Sequence, residues 1–187
     1  SVNHPYDPVI ISSIRSPIGK YGGILSDIRP DDMLAFLLAK LVAETKIDAN
    51  KIDEVIIGCA NQAGEDNRNI ARMALLLSGL SLSIPAITLN RLCASGLDAI
   101  IDGARRIITK EAQVILAGGV ESMSRAPYVL AKQNGLVKSG APAIYDPYLR
   151  DTAGNLVADP YFGGYIFDFG NGEDGNPTRR FLNNSNG

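Results

Sequence analysis

An α/β fold is what this 187-residue sequence predicts, and three observations carry the prediction. Short apolar runs of strand length alternate with longer segments whose apolar residues recur at helical spacing, the pattern of layered α/β domains. The composition, 45% hydrophobic with a formal net charge of −2, is that of an ordinary globular chain that can bury a core. Cys59, Cys93 and His4 are its only thiols and imidazole, too few for a disulfide framework or a four-ligand zinc site of thiols and imidazoles. Folding therefore rests on packing, and each cysteine has to be read singly.

The elements follow in order. Val9 to Ser13 reads as a buried strand, followed by a Pro/Gly loop from Ser16 to Gly23. Pro30 sits where a helix tolerates proline, Asp31 and Asp32 suit the positive end of the helix dipole, and Leu34, Leu37, Leu38 and Leu41 share one face. These predict a helix over 30–44. Glu54 to Cys59 reads as the second strand, and Asn69 to Ser78 as a helix closed by Gly79, where a left-handed turn suits glycine. Pro85 to Leu89 is a third strand. Beyond the loop Asn90 to Ala94, the residues Leu97, Ile100, Ile101, Ala104 and Ile107 make one helical face, and Val114 to Ala117 is a fourth strand that Gly118 and Gly119 end. From Asp151 to Gly187 lie half of the twelve aromatics with seven glycines and six asparagines, and no helical period survives two turns. That shift predicts a loop-rich or partly disordered tail.

Charge and hydropathy narrow the function classes. Eighteen basic and twenty acidic residues, without a Lys/Arg cluster, give no field to attract phosphate backbones, so nucleic acid is not an expected partner. No apolar run reaches the ~18–20 residues that span a bilayer, and Ser1 to Asp7 lacks the features of a signal peptide. A cytoplasmic protein is expected, with no membrane partner.

The chemistry-bearing stretch is Asn90-Arg91-Leu92-Cys93-Ala94-Ser95-Gly96-Leu97: strand, tight turn with a cysteine, helix. A thiol there lies near the positive end of a helix dipole, which favours the thiolate. The small residues Ala94, Ser95 and Gly96 let a substrate approach the backbone, whose amides can donate to a developing oxyanion. The residues alone leave Cys93 open between a nucleophile and a small buried hydrophobe. Cys59, after a strand and a glycine, reads as a buried structural thiol ahead of an acid/base partner. Gly118-Gly119 lacks the spacing of a phosphate loop and reads as a tight strand exit; Arg68, Arg72, Arg105 and Arg106 read as solvated helix faces that could alternatively meet phosphates.

Four blocks, Arg15-Ser16-Pro17-Ile18-Gly19, Asn61 to Asn67, Asn90 to Gly96 and Ala117 to Ser124, resemble in content and order the signature blocks of the amino-terminal half of the thiolases, from about Val9 to Leu130. Gly58 to Asn69 together with Asn90 to Gly96 most resemble thiolases acting on 3-oxoadipyl-CoA. The resemblance implies a thiolase-like half-domain over residues 1–132, with a mixed central sheet and helices on both faces, followed by the divergent tail 133–187. It aligns Cys93 with the catalytic cysteine that carries the acyl group. The reaction implied is two-step acyl transfer, from a 3-oxoacyl-CoA to the cysteine and on to free CoA, with CoA and acyl-CoA as substrates and no permanently bound cofactor or metal. Glu121 resembles a buried acid of the family core with a hydrogen-bonding role, and Asn61 to Asn69 would lie near a subunit contact.

The family's catalytic His and second Cys come from a second half-domain that is not recognisable here, nor is a CoA-covering loop in 134–187. His4 lacks the family context. The expectation is a nucleophile-bearing half that works as a homo-oligomer or with a companion chain. The competing reading is a non-catalytic half serving as a binding or oligomerisation module, through an apolar face left uncovered. A redox-sensing Cys93 ranks behind both, because the spacing to Cys59 offers no resolving partner.

Overall fold

The computed structural model describes residues 7–130 and 144–145, and the chain divides into two compact units, Ser1–Arg125 and Ala126–Gly187. The first unit holds helix α1 (Pro30–Thr45), strand β1 (Glu54–Gly58), helix α2 (Ile70–Leu77), strand β2 (Ala86–Leu89), helix α3 (Ser95–Ile108) and strand β3 (Ile115–Gly119). In the second, β4 (Val129–Leu130) pairs antiparallel with β5 (Ile144–Tyr145). The rest of the expected tail lies outside the described residues.

β1 is the centre of a parallel sheet of order β2-β1-β3, with Val55 opposite both Ala86 and Leu116. The chain leaves β1 to one side and returns past it to the other, so right-handed crossovers place α2 and α3 on opposite faces. Alternation along β1 agrees. Val55, Ile57 and Cys59 enter the core with Leu34, Ala35 and Leu38 of α1 and Ile70, Ala71, Ala74 and Leu75 of α2. Ile56 and Gly58 face the other way, where Gly58 lies against the backbone of Ser95 and Gly96 at the start of α3. Every residue of β1 is buried, as a central parallel strand requires. This is the expected α/β architecture, with helices on both faces of the sheet.

Local chemistry explains the helix limits. Pro30 opens α1, the Asp31 carboxylate takes the Arg29 guanidinium at 2.7 Å and the Asp32 amide at 3.0 Å, and Lys46 ends the helix in the left-handed region. Asn69 caps α2 by accepting from the Arg72 amide, while its Nδ2 donates to the Ala86 carbonyl of β2 at 3.1 Å. Gly79, at φ +77°, makes the left-handed turn foreseen for it.

One expectation needs correction. Val9 to Ser13 forms no strand: it is irregular, and Val9, Ile10 and Ile11 are each more than 70% exposed. An apolar run marks a strand only if a ladder partner reaches it, and none does among the described residues. The apolar face of α3 points away from the sheet. The helix buries Ser95, Ala99 and Gly103 against the sheet and leaves Leu97, Ile100, Ile101 and Ile108 exposed. Small residues four apart bring the helix close, with a Cβ at Gly103 only 3.2 Å from the Ile115 side chain, so the bulky stripe is turned outward.

Candidate active site

In an open parallel sheet, ligands bind beyond the carboxyl ends of the strands, where the strand order reverses. Three loops leave that edge here: Cys59-Ala60-Asn61 after β1, Asn90 to Ala94 after β2, and Val120-Glu121 after β3. They are laced together. The Cys59 amide donates to the Leu89 carbonyl, and the Val120 amide to the Gly58 carbonyl. Glu121 accepts from the Ala60 amide at 2.8 Å and from the Asn61 amide at 3.3 Å, and Asn90 Nδ2 donates to the Ala60 carbonyl at 3.0 Å.

Cys93 is exposed, which removes the buried-hydrophobe reading. It rides on an elbow between β2 and α3 in which Leu92 has φ +50°, a left-handed conformation that costs a branched residue on the order of 1–3 kcal/mol. Side chains hold that elbow. Asn90 Oδ1 accepts the Leu92 amide at 2.8 Å, Ser95 Oγ accepts the Arg91 amide at 2.8 Å, and the same hydroxyl donates to the Leu92 carbonyl at 2.6 Å. Ser95 is buried and its two bonds are partly shielded from water, whereas the Asn90 bond is exposed. Behind the elbow, Gly58, Gly96 and Gly119 meet backbone to backbone; a Cβ on Gly119 would lie 2.9 Å from the Gly96 Cα. This seam seats the amino end of α3 beside Cys93.

Cys59 is the opposite kind of thiol. It is buried, donates to Asp66 Oδ2 at 3.4 Å, and burial pushes its pKa from 9.0 up to about 12. Asp66 is buried too and its pKa is raised by that burial, against the pull of the Asn61 amide bonded at 2.7 Å. The folded thiol keeps its proton well beyond the pH at which the unfolded one loses it, so stability falls as pH climbs from about 9 toward 12. Urea midpoints followed from neutral to alkaline pH are expected to fall less steeply in Cys59→Ala than in the parent; parallel slopes would contradict this.

Cys59, Asp66 and Glu121 bring metal-ligand atoms within 4.8 Å of one another. All three are already engaged in the hydrogen bonds just described, which make an internal network around the loop after β1. Glu121 is exposed, not buried as its resemblance suggested, though its hydrogen-bonding role is as expected. Two arginines have structural partners that the sequence did not disclose. Arg72 donates to the Ile84 and Leu82 carbonyls, clamping the turn before β2, and Arg106 joins Glu54 at 2.6 Å and Asp102 at 3.0 Å. Arg125 grips Glu65, and that hydrogen-bonded guanidinium holds the Glu65 carboxyl below its ordinary range. His4 lies outside the described residues. Asn90 and Ser95 were missed as supports of the elbow; the polar residues five apart around the cysteine were the available signal.

A parallel sheet with a cysteine elbow at its carboxyl edge agrees with the family that the sequence resembles, and the chain belongs to the thiolase family: residues 8–157 match the family model "Thiolase, N-terminal domain". It is 54% identical over 132 residues to the beta-ketoadipyl-CoA thiolase of Pseudomonas knackmussii, and 57% identical over 124 residues to the 3-oxoadipyl-CoA/3-oxo-5,6-dehydrosuberyl-CoA thiolase of Escherichia coli K12. These matches cover 70% and 66% of this chain but 33% and 31% of those relatives. The crystal structure of the Bacillus anthracis acetyl-CoA acetyltransferase superposes with a TM-score of 0.65 at 34% identity, over 70% of this chain and 33% of that one. The chain thus spans about a third of the length of the curated relatives it matches. Among the described residues no helix is long and apolar enough to cross a membrane.

Proposed function

We propose that this chain carries the nucleophile of thiolase-type acyl transfer between a 3-oxoacyl-CoA and CoA, with Cys93 as the residue that bears the acyl group. The observation behind this reading is the contrast between the two thiols: Cys93 exposed on a held, left-handed elbow at the carboxyl edge of the sheet, Cys59 buried with its proton retained. In the degradative direction the Cys93 thiolate attacks the 3-keto carbon. The C2–C3 bond breaks, its electron pair leaves with the acetyl-CoA enolate, and an acid protonates that carbon. CoA thiolate then attacks the thioester carbonyl, takes the acyl group as acyl-CoA and expels the Cys93 thiolate. Likeness to the beta-ketoadipyl-CoA thiolases favours a 3-oxoadipyl chain as the substrate.

Glu121 and Asp66 already hold the loops together, so the acid/base is assigned to a second half-domain, on this polypeptide or on a companion. The same reading places the protein in the cytoplasm as an oligomer. Incubation with acetyl-CoA is expected to release one free CoA per chain and to protect Cys93 from iodoacetamide; no release from the folded protein would defeat the reading.

A second reading, a binding or oligomerisation module, draws on the outward stripe of α3, where Leu97 is 63% and Ile108 56% exposed. Isolated apolar residues are ordinary on surfaces, but several along one helix mark a contact. Light scattering is expected to show Ile101→Lys smaller or less self-associated than the parent.

A further inference from the structure

We propose that Glu121 and Asn90 are positioning residues for Cys93, joined by an unbroken hydrogen-bond chain that runs through the peptide between Ala60 and Asn61. The proposal rests on Cys93 as the acyl acceptor and goes beyond it by naming what sets its reactivity.

The chain can be followed atom by atom. Glu121 Oε1 accepts the Asn61 amide N–H at 3.3 Å, and Oε2 accepts the Ala60 amide at 2.8 Å. The carbonyl of the peptide that carries the Asn61 N–H belongs to Ala60, and it accepts Asn90 Nδ2 at 3.0 Å. The other end of that side-chain amide, Asn90 Oδ1, accepts the Leu92 N–H at 2.8 Å. Two amide groups therefore stand in series between a carboxylate and the residue before Cys93. Each amide that donates at its nitrogen and accepts at its oxygen is polarised by its neighbours, so every bond in the row strengthens the next. Its Asn90 member has a defined orientation, since a carbonyl on one side and an N–H on the other admit only one placement of its oxygen and nitrogen.

The last bond falls on the strained residue. Leu92 occupies the left-handed region at φ +50° although its side chain gives it no preference for that region. Releasing its amide lets the elbow relax, and the relaxed elbow carries Cys93 away from its held, exposed place before the amino end of α3. Glu121 thus acts on Cys93 through geometry, without touching the substrate.

Charge and geometry predict opposite signs, which makes the proposal testable. Glu121→Gln removes a negative charge from the sheet edge. If charge alone mattered, thiolate would be favoured and Cys93 would react faster. Through the chain, a glutamine cannot accept both amides as the carboxylate does, the elbow loosens, and Cys93 reacts more slowly. The experiment is the rate of iodoacetamide modification of Cys93 at fixed near-neutral pH, mapped by peptide mass, with circular dichroism and Tm as controls. Iodoacetamide needs no acyl-CoA, so a failure here is distinct from a failure of Cys93 to accept an acyl group.

The expected result is a several-fold slower reaction in Glu121→Gln and in Asn90→Ser. The double variant is expected to be no slower than the slower single one, since both cut the same chain. Glu121→Asp keeps the charge and shortens the reach, and it is expected to be slowed as well. A faster or unchanged Cys93 in a folded Glu121→Gln, or additive losses in the double variant, would overturn the proposal. Should Glu121→Gln not fold, Glu121→Asp decides by the same criterion, and if neither Glu121 variant folds, an unchanged Cys93 in Asn90→Ser overturns it.

Discussion

Cys93→Ser is expected to yield a folded chain that takes up no acyl group from acetyl-CoA or a 3-oxoacyl-CoA. The oxygen is close to the sulfur in size and sits on an exposed elbow, so nothing in the packing should change. Its nucleophilicity changes greatly: a hydroxyl needs a positioned base to lose its proton, whereas a thiol supplies thiolate near neutral pH. Replacing a nucleophile acts on a scale of 10³-fold or more, so the adduct is expected to fall by at least about that factor. Cys59→Ser is the instructive companion. Its sulfur is buried against Asp66, and that variant is expected to keep the acylation and lose stability. An undiminished adduct in Cys93→Ser would show that another residue carries the acyl group.

The largest structural effect is expected from Gly58→Ala. A Cβ there would stand 2.2 Å from the Ser95 carbonyl carbon, 2.3 Å from its oxygen and 2.5 Å from the Gly96 nitrogen. All three are backbone atoms at the start of α3, so no side chain can rotate away and the helix must lift off the sheet. Overpacking of this kind costs about 3 kcal/mol or more, a large share of the stability of a domain this size. The expected readout is a Tm lower by about 10 °C or more, or recovery of the protein only as aggregate. Gly118→Ala is the control, because its nearest neighbour is the tip of the Ile57 side chain at 4.0 Å, and it is expected to be close to neutral. Equal losses at both positions would mean that glycine in the sheet matters for some reason other than contact with α3.

What the sequence made legible followed from local rules. Gly79 as a left-handed stop and Pro30 with two acids at a helix start act within a few residues of themselves, and the structure has them where expected. The strand-to-helix turn that carries Cys93 was legible as a place, whereas the exposure of its thiol was not. Properties set by distant neighbours were hidden. Val9 to Ser13 has the composition of a strand, but pairing depends on another segment coming alongside. The stripe of α3 is plain in the periodicity, yet which side meets the sheet was decided by Ser95, Ala99 and Gly103, small enough to let the backbones close. Arg72 looked like a solvated cation because its partners are carbonyls, which leave no trace in sequence. Asn90 reaches a loop 30 residues earlier, and only the fold brings the two together.

The central claim is that Cys93 accepts the acyl group, and intact-protein mass spectrometry after incubation with acetyl-CoA or a 3-oxoacyl-CoA, with the modified peptide mapped, tests it most directly. The account predicts one acyl group per chain, on the peptide containing Cys93, with Cys59 unmodified. A folded chain that gains no acyl mass, or gains it elsewhere, would contradict the assignment and leave the outward face of α3 as the feature that best explains what the protein does.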